Sequence, residues 1–415
     1  MTSVDARLAE LASAVAAPGS DPGRLVAVVA WLAAPRRGPT ALRRAVVAAH
    51  ERGEADPDGA GLDAVLPAAG PTDRELRAAH DVLERWASLR CRVVLVDDPA
   101  YPTRLRADWP DRDAPPLLVL RGDLASDRPA VALVGARRAS GYGTGVASWL
   151  AEGAAAAGVR VVSGGAVGID AAAHRAAVEQ PGGTTVVLGC GHGIGYPRGH
   201  AQPGGLFDRV VASGGAVISE QFPDQRPRAG VVRARNRLVA ALTDVTVVVE
   251  GGERSGALLT AGAAAERSRE VLAVPGDVRA PGSAAPHRLL AEGVFPCLGP
   301  QQLLEQVRTA VHGVVGWSVA ASTSASTSPS GALDDGAPTL PGISPALSTL
   351  PDDVHAHLST VWPRPLRPDD LATATGRPAP QVLAAITRAQ VSGELTVDTD
   401  GVRLRRAPAG RQDRG

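Results

Sequence analysis

The residues of this chain whose types and spacing could do chemistry are glycines in short loops and arginines in one run. The loops are GARRASGYGTG (135–145), SGGAVGID (163–170), GCGHGIGYPRG (189–199), a segment ending in RARNR (233–237), GGERSGALLTA (251–261) and PGDVRAPGS (275–283). Glycine lets backbone N–H groups approach an anion closely, and a following helix N-terminus adds partial positive charge. In any single loop glycine serves equally well to make a tight turn; several such loops on one sheet edge favour an anion site.

Charge sharpens that reading. From Arg226 to Arg237 there are five arginines and no acid. A charge run is often only a solvated face. Here, however, Arg235 and Arg237 flank Asn236 at the start of a predicted helix, where cations oppose the helix dipole unless an anion is present. With Arg233 beside them and Arg137 and Arg138 in the first loop, the pattern predicts a phosphate-lined groove. Nucleic acid or a nucleotide is the ligand class this implies.

Other chemistries fit poorly. GARRASG is not the GxGxxG of a dinucleotide site, and the second strand ends at Ser163 rather than at a ribose-binding acid. Asp170 and His174 are i and i+4 on one helix, but Asp170 is better placed as a helix cap. His192 and His200 lack metal-ligand spacing. Glu220 and Glu250 end two strands and read best as loop anchors. No catalytic residue, metal site or cofactor is expected.

Composition narrows the field further. All 43 basic residues of the 415 are arginine, which excludes a Walker A loop, a Schiff-base lysine and a lysyl nucleophile. The 43 acids balance them, so net charge points to no partner. Three scattered cysteines argue for a reducing compartment rather than a disulfide framework. No run reaches the ~18 apolar residues of a membrane span, and a soluble, cytoplasmic protein is expected.

The elements that must position these loops follow from apolar runs at 130–134, 159–163, 184–188, 216–220, 245–250 and 270–274. β-branched runs alternating with amphipathic or Ala-rich stretches predict an α/β fold, a Rossmann-like, mostly parallel sheet with ligands outside the strand ends. The expected organisation is a helical N-terminal domain (1–95) and an extended Rossmann-like domain (96–310, motif core 130–298). After these come a flexible linker (311–350), a winged-helix-like domain (351–406) and a basic tail (407–415). In the winged-helix-like part, DDLATATG predicts a helix ending at Gly376, PAPQVLAAITRAQVSG a second, and Asp400-Gly401 a hairpin turn.

In their order these motifs resemble the DNA-processing protein family DprA, also called Smf. The matching pieces are Gly135-Ala136-Arg137, Ser163-Gly164 with Gly168-Ile169-Asp170, Tyr196-Pro197, Ser219-Glu220, Arg235-Asn236-Arg237, Ser255-Gly256 with Leu259-Thr260-Ala261, and Ala273-Val274-Pro275-Gly276. The resemblance covers about 97–298. It implies a non-catalytic protein that binds single-stranded DNA, helps load the recombinase RecA during natural transformation, and dimerises through the Rossmann-like domain. On this chain the DNA contacts would fall on Gly135, Arg137, Arg138, Ser163, Gly164, Gly168, Asp170, Arg233, Arg235, Asn236, Arg237, Ser255, Gly256 and Thr260.

Three positions depart from the family pattern: Val167 stands where an arginine is usual, Val232 where an aromatic is usual and His287 where an asparagine is usual. More phosphate-dominated binding is the expectation. The alternative is a nucleotide-binding protein or a nucleoside-monophosphate N-glycosidase resembling the LOG enzymes, whose GGxGTxxE pattern EGGERSGALLTAGAAAE lacks.

Overall fold

The β-branched apolar runs become the strands of one nine-stranded sheet. The computed structural model describes residues 3–312 apart from 36, 56–59, 111 and 125–127, and beyond them 354, 357–358, 366, 368–376, 382, 386, 395–398 and 401–404. The chain divides into two compact units, Met1–Ala321 and Ser322–Gly415.

The first unit opens with helices α1 (Ser3–Val15), α2 (Pro22–Ala33), α3 (Pro39–Glu51) and α4 (Asp73–Ser88). Local signals start two of them. Asp21 caps α2 by accepting from Gly23 N at 2.8 Å, with Pro22 in the first turn. Thr72 and Glu75 close a reciprocal capping box on α4. Strand β1 (Arg92–Leu95), the short α5 (Thr103–Arg106) and β2 (Leu117–Gly122) follow.

The alternating part then runs β3 (Ala130–Gly135), α6 (Gly141–Ala156), β4 (Arg160–Ser163), α7 (Ile169–Ala177), β5 (Thr184–Val187), α8 (Arg198–Ala201), α9 (Leu206–Ala212) and β6 (Ala216–Ser219). It continues with α10 (Ala229–Ala241), β7 (Val245–Glu250), α11 (Gly256–Ala265), β8 (Glu270–Ala273), α12 (Ala284–Ala291), β9 (Phe295–Pro296) and α13 (Pro300–His312). Each expected strand run coincides with one of β3 to β8.

Strand order is β1-β2-β6-β5-β4-β3-β7-β8-β9. β3 to β9 are parallel, while β1 and β2 join one edge antiparallel. From β3 the chain winds outward one way to β6 and then crosses to β7 on the other side. The switch point therefore lies between the carboxyl ends of β3 and β7, where open α/β sheets leave a crevice.

The strands are buried on both faces, as the runs require. Val131 and Leu133 pack with Leu150, Ala154 and Val307 on one face. Ala132 and Val134 alternate onto the other, in a core that also takes Leu11, Val28, Leu83 and Trp86 from the N-terminal helices. That core is continuous across residue 95: Ala17 N bonds Val93 O at 3.0 Å, and Trp86 packs against Phe222 with ring centroids 5.9 Å apart.

In the second unit, a helix Pro368–Thr375 ends at Gly376, whose φ of 67° favours glycine. Strands Leu395–Asp398 and Gly401–Leu404 pair antiparallel, with Asp398 opposite Gly401. Val354, Leu358, Leu371, Val382, Ile386 and Val402 form a small core. Val382 and Ile386 are helical. The rest of the expected second helix, the turn at 399–400, the linker from 313 to 350 and the tail 407–415 lie outside the described residues.

Candidate nucleic-acid interface

Loops that follow β3 to β7 meet at the switch point with helices α10, α11 and α12. They enclose an open cleft of about 920 Å³ between the ends of β3, β4 and β7, the side of α10 and the start of α11. The first two loops are held together by backbone. Ile169 N bonds Ala136 O at 3.1 Å. Gly168 has φ 83°, and a β-carbon there would collide with Ala136 O, so only glycine permits this approach. Glu250 braces the third side by accepting from Ser140 N at 2.9 Å, while Ser140 caps α6 through Gly143 N at 3.0 Å. Its role is that of an anchor.

Six arginines line the cleft, Arg137, Arg228, Arg233, Arg235, Arg254 and Arg288, against two acids, Asp170 and Glu253. Among the described residues, Arg137, Arg228, Arg233 and Arg254 form no ion pair with an acid, whereas Arg288 pairs with Glu292 at 2.9 Å. Arg235 differs from the others in being only 6% exposed. Its Nε is buried without a hydrogen-bond partner, and its guanidinium lies against Gly164. Burial lowers its pKa, opposed by the carboxylate of Asp170 and reinforced by the charge of Arg137.

Asp170 is fixed in turn by Ala166 N at 3.2 Å. Burial pushes its carboxyl up, and the Arg235 guanidinium pulls it back down. A buried arginine beside one carboxylate, with the charge of Arg137 acting on it too, leaves net positive charge and an unsatisfied donor in the cleft. The first turn of α11 adds its N-terminal dipole. Ser255 caps that turn through Ala257 N at 3.2 Å, and Asn236 Nδ2 donates to Gly256 O at 3.0 Å, tying α10 to α11.

Of the residues singled out from sequence, Gly135, Arg137, Gly164, Asp170, Arg233, Arg235, Asn236, Ser255, Gly256 and Thr260 line this cleft. Four do not. Ser163 is fully buried and donates to Leu133 O at 2.6 Å, bracing β4 against β3. Gly168 serves the loop contact described above, and Arg138 is exposed outside the lining. Arg237 turns out of the cleft, with both terminal nitrogens on Glu220 at 2.9 and 2.6 Å and Nε on Asp113 O at 2.8 Å. Glu220 is thus an anchor as well.

The arginine cluster does not sit at a helix start, as its sequence position had suggested. α10 begins at Ala229, so Arg235 to Arg237 sit in its second and third turns rather than at its start. The dipole argument does not reach that far, since the effect fades beyond the first turn. Arg228, Arg254, Arg288 and Tyr196 also line the cleft and were absent from the sequence-derived set. Arg228, Arg254 and Tyr196 lay inside noticed segments; nothing local marked Arg288.

Comparison with known proteins decides the family. Residues 92–308 match the model of the family described as DNA recombination-mediator protein A. The chain belongs to this family. Protein Smf of Escherichia coli K12 is 34% identical over 317 residues, covering 76% of this chain and 78% of that protein. A Mycobacterium tuberculosis relative is 42% identical over 231 residues, 53% of this chain and 58% of its own length. The X-ray structure of DNA processing protein A from Streptococcus pneumoniae superposes with a TM-score of 0.52 at 26% identity, covering 68% of this chain and 95% of that one.

Family membership agrees with the DprA resemblance and with the Rossmann-like sheet. Val232, one of the departures from the DprA pattern, lines the cleft, whereas Val167 is exposed outside it. His287, the third, bonds Gly276 O through Nε2 at 3.1 Å and steadies the loop after β8. Among the described residues, no helix is long and apolar enough to cross a membrane.

Proposed function

We propose that the cleft binds single-stranded DNA and that the protein acts by binding rather than by catalysis. The observation that carries this reading is Arg235, a recessed guanidinium with an unpartnered Nε, ringed by further arginines in a chain of a recombination-mediator family. A flexible strand can bend to deliver a phosphate to such a recessed group, whereas a stiff duplex cannot without deformation.

The glycosidase alternative finds less support. Of the two cleft acids, Asp170 is held by Ala166 N beside Arg235, and Glu253 stands exposed on the rim. From family membership we further propose that the bound strand is passed to RecA in recombination or natural transformation, in the cytoplasm. A homodimer through the Rossmann-like domain is part of the same proposal, and sedimentation of the purified protein tests it.

The test of DNA binding is fluorescence anisotropy with single- and double-stranded oligonucleotides across a salt series. Wild type is compared with an Arg137→Ala/Arg233→Ala/Arg254→Ala variant. For a single strand, log K falls against log salt with a slope of about −0.7 per phosphate neutralised. The variant should flatten that slope by about 2 if each arginine meets one phosphate. An unchanged slope would place the DNA elsewhere. Preference for mononucleotides over strands would move the nucleotide reading to the front.

A further inference from the structure

Phosphate contacts hold a strand but do not account for its bases, which need apolar or π surface once they leave solvent. The chain has 12 aromatic residues. Among the described residues, Tyr196 is the one that lines the cleft. The residue is 43% exposed, and its hydroxyl makes no hydrogen bond to a described residue.

Other exposed rings are engaged elsewhere. Tyr142 donates its hydroxyl to Pro275 O at 2.6 Å, Trp149 packs over Gly299, and Phe295 lines a separate groove beside β8. The cleft wall near α10 is aliphatic, at Val232 and Val239.

The loop that carries Tyr196 is anchored along its length. Gly191 N bonds Gln225 O and Gly193 N bonds Pro223 O, each at 2.9 Å. Just beyond it, His200 Nδ1 donates to Gly165 O at 3.0 Å, tying the loop to the one that holds Gly164. A ring on so constrained a segment loses little freedom on binding.

We propose that Tyr196 is the stacking platform for a base of the bound strand, in the cleft whose arginines take the phosphates. This rests on the reading of the cleft as a strand site. It assigns Tyr196 a contribution that depends on bases and not on phosphates, whereas Arg137 and Arg235 contribute the reverse.

The test compares an oligothymidylate with an abasic strand of equal length, at one salt concentration, for wild type, Tyr196→Leu and Tyr196→Phe. Tyr196→Leu should weaken oligothymidylate binding by between about fivefold and a hundredfold. It should leave abasic-strand binding unchanged, and Tyr196→Phe should match wild type on both strands. Equal losses on both strands, or no loss on either, would overturn the stacking role. So would wild-type protein that binds both strands equally well, although the phosphate reading would then stand. If wild type binds neither strand, the strand-binding reading itself fails.

Discussion

The guanidinium of Arg235 lies against the α-carbon of Gly164, in the space that a β-carbon at residue 164 would fill. The glycine therefore decides where the recessed charge points without touching a ligand itself. Gly164→Ala should displace the end of a flexible side chain at little cost to stability while moving the cleft's deepest donor. Loss of one charge-assisted hydrogen bond predicts roughly tenfold weaker single-strand binding. Anisotropy alongside a thermal melt checks this; a large fall in Tm with unchanged affinity would refute it.

Arg235 and Arg237 should separate under substitution in their effect on strand affinity. Arg237→Ala leaves the Glu220 carboxylate, whose side chain is only 4% exposed, without its bidentate partner. Breaking such a pair costs on the order of 3 kcal/mol. Chemical denaturation should show that loss, while the folded fraction keeps wild-type affinity for the strand. Arg235→Ala should lower strand affinity, and because it leaves buried Asp170 without its guanidinium it should cost stability too.

Asn236 links two helices rather than presenting its amide to the ligand alone. Asn236→Ala removes the bond to Gly256 O and should lower stability by about 1 kcal/mol. It should also speed amide exchange in the first turn of α11, measurable by hydrogen exchange. Unchanged protection there would show that the tie is dispensable.

A buried histidine, His174, and a half-buried one, His192, predict an acid-side weakness. Burial, helped by the neighbouring His200, Arg235 and Arg175, pushes His174 down to about 3. Thr184 Oγ1 already donates to Val161 O, so it accepts from His174 Nδ1 at 2.7 Å, and Nε2 is left without a partner. Burial pushes His192 down to about 4, against its bond to Val119 O.

Both folded-state values lie below that of the unfolded chain, near 6.5. The neutral imidazoles therefore contribute fully above pH 6.5, and that contribution drains away as pH falls towards 4 and then 3. Each histidine should cost about 1.4 kcal/mol per pH unit across its window. Melts from pH 7 to 4.5 should show a steeper decline for wild type than for His174→Asn, and parallel curves would count against it.

Much of the fold was legible because it is written locally. Runs such as AVALV and VTVVVE can satisfy both their β-branched composition and their lack of polar faces only as strands covered on both sides. The loops after them must then emerge on one sheet edge, which is why Gly135, Arg137, Gly164 and Ser255 could be placed together from sequence. The N-terminal helices were visible as helices, through apolar residues at helical spacing such as Leu76, Val82, Leu83 and Trp86. Their continuous core with β1 and β2 was not, since no local pattern records which faces meet.

The leading expectation came from sequence alone: lysine-free, glycine- and arginine-bearing loops at the ends of parallel strands point to anion binding. Which arginines line the cleft was decided by tertiary structure. α10 starts at Ala229 behind Arg228, whose side chain makes no capping bond to announce it. Arg235 and Arg237 are two residues apart, so they project about 200° from one another around the helix. Packing alone assigns the first to the cleft beside Gly164 and the second to Glu220. Likewise Arg254 and Arg288, on separate elements, reach one cleft because the crossover to β7 opens the sheet there. Local sequence shows which charges a chain carries, and long-range packing determines which face of each element is left to solvent.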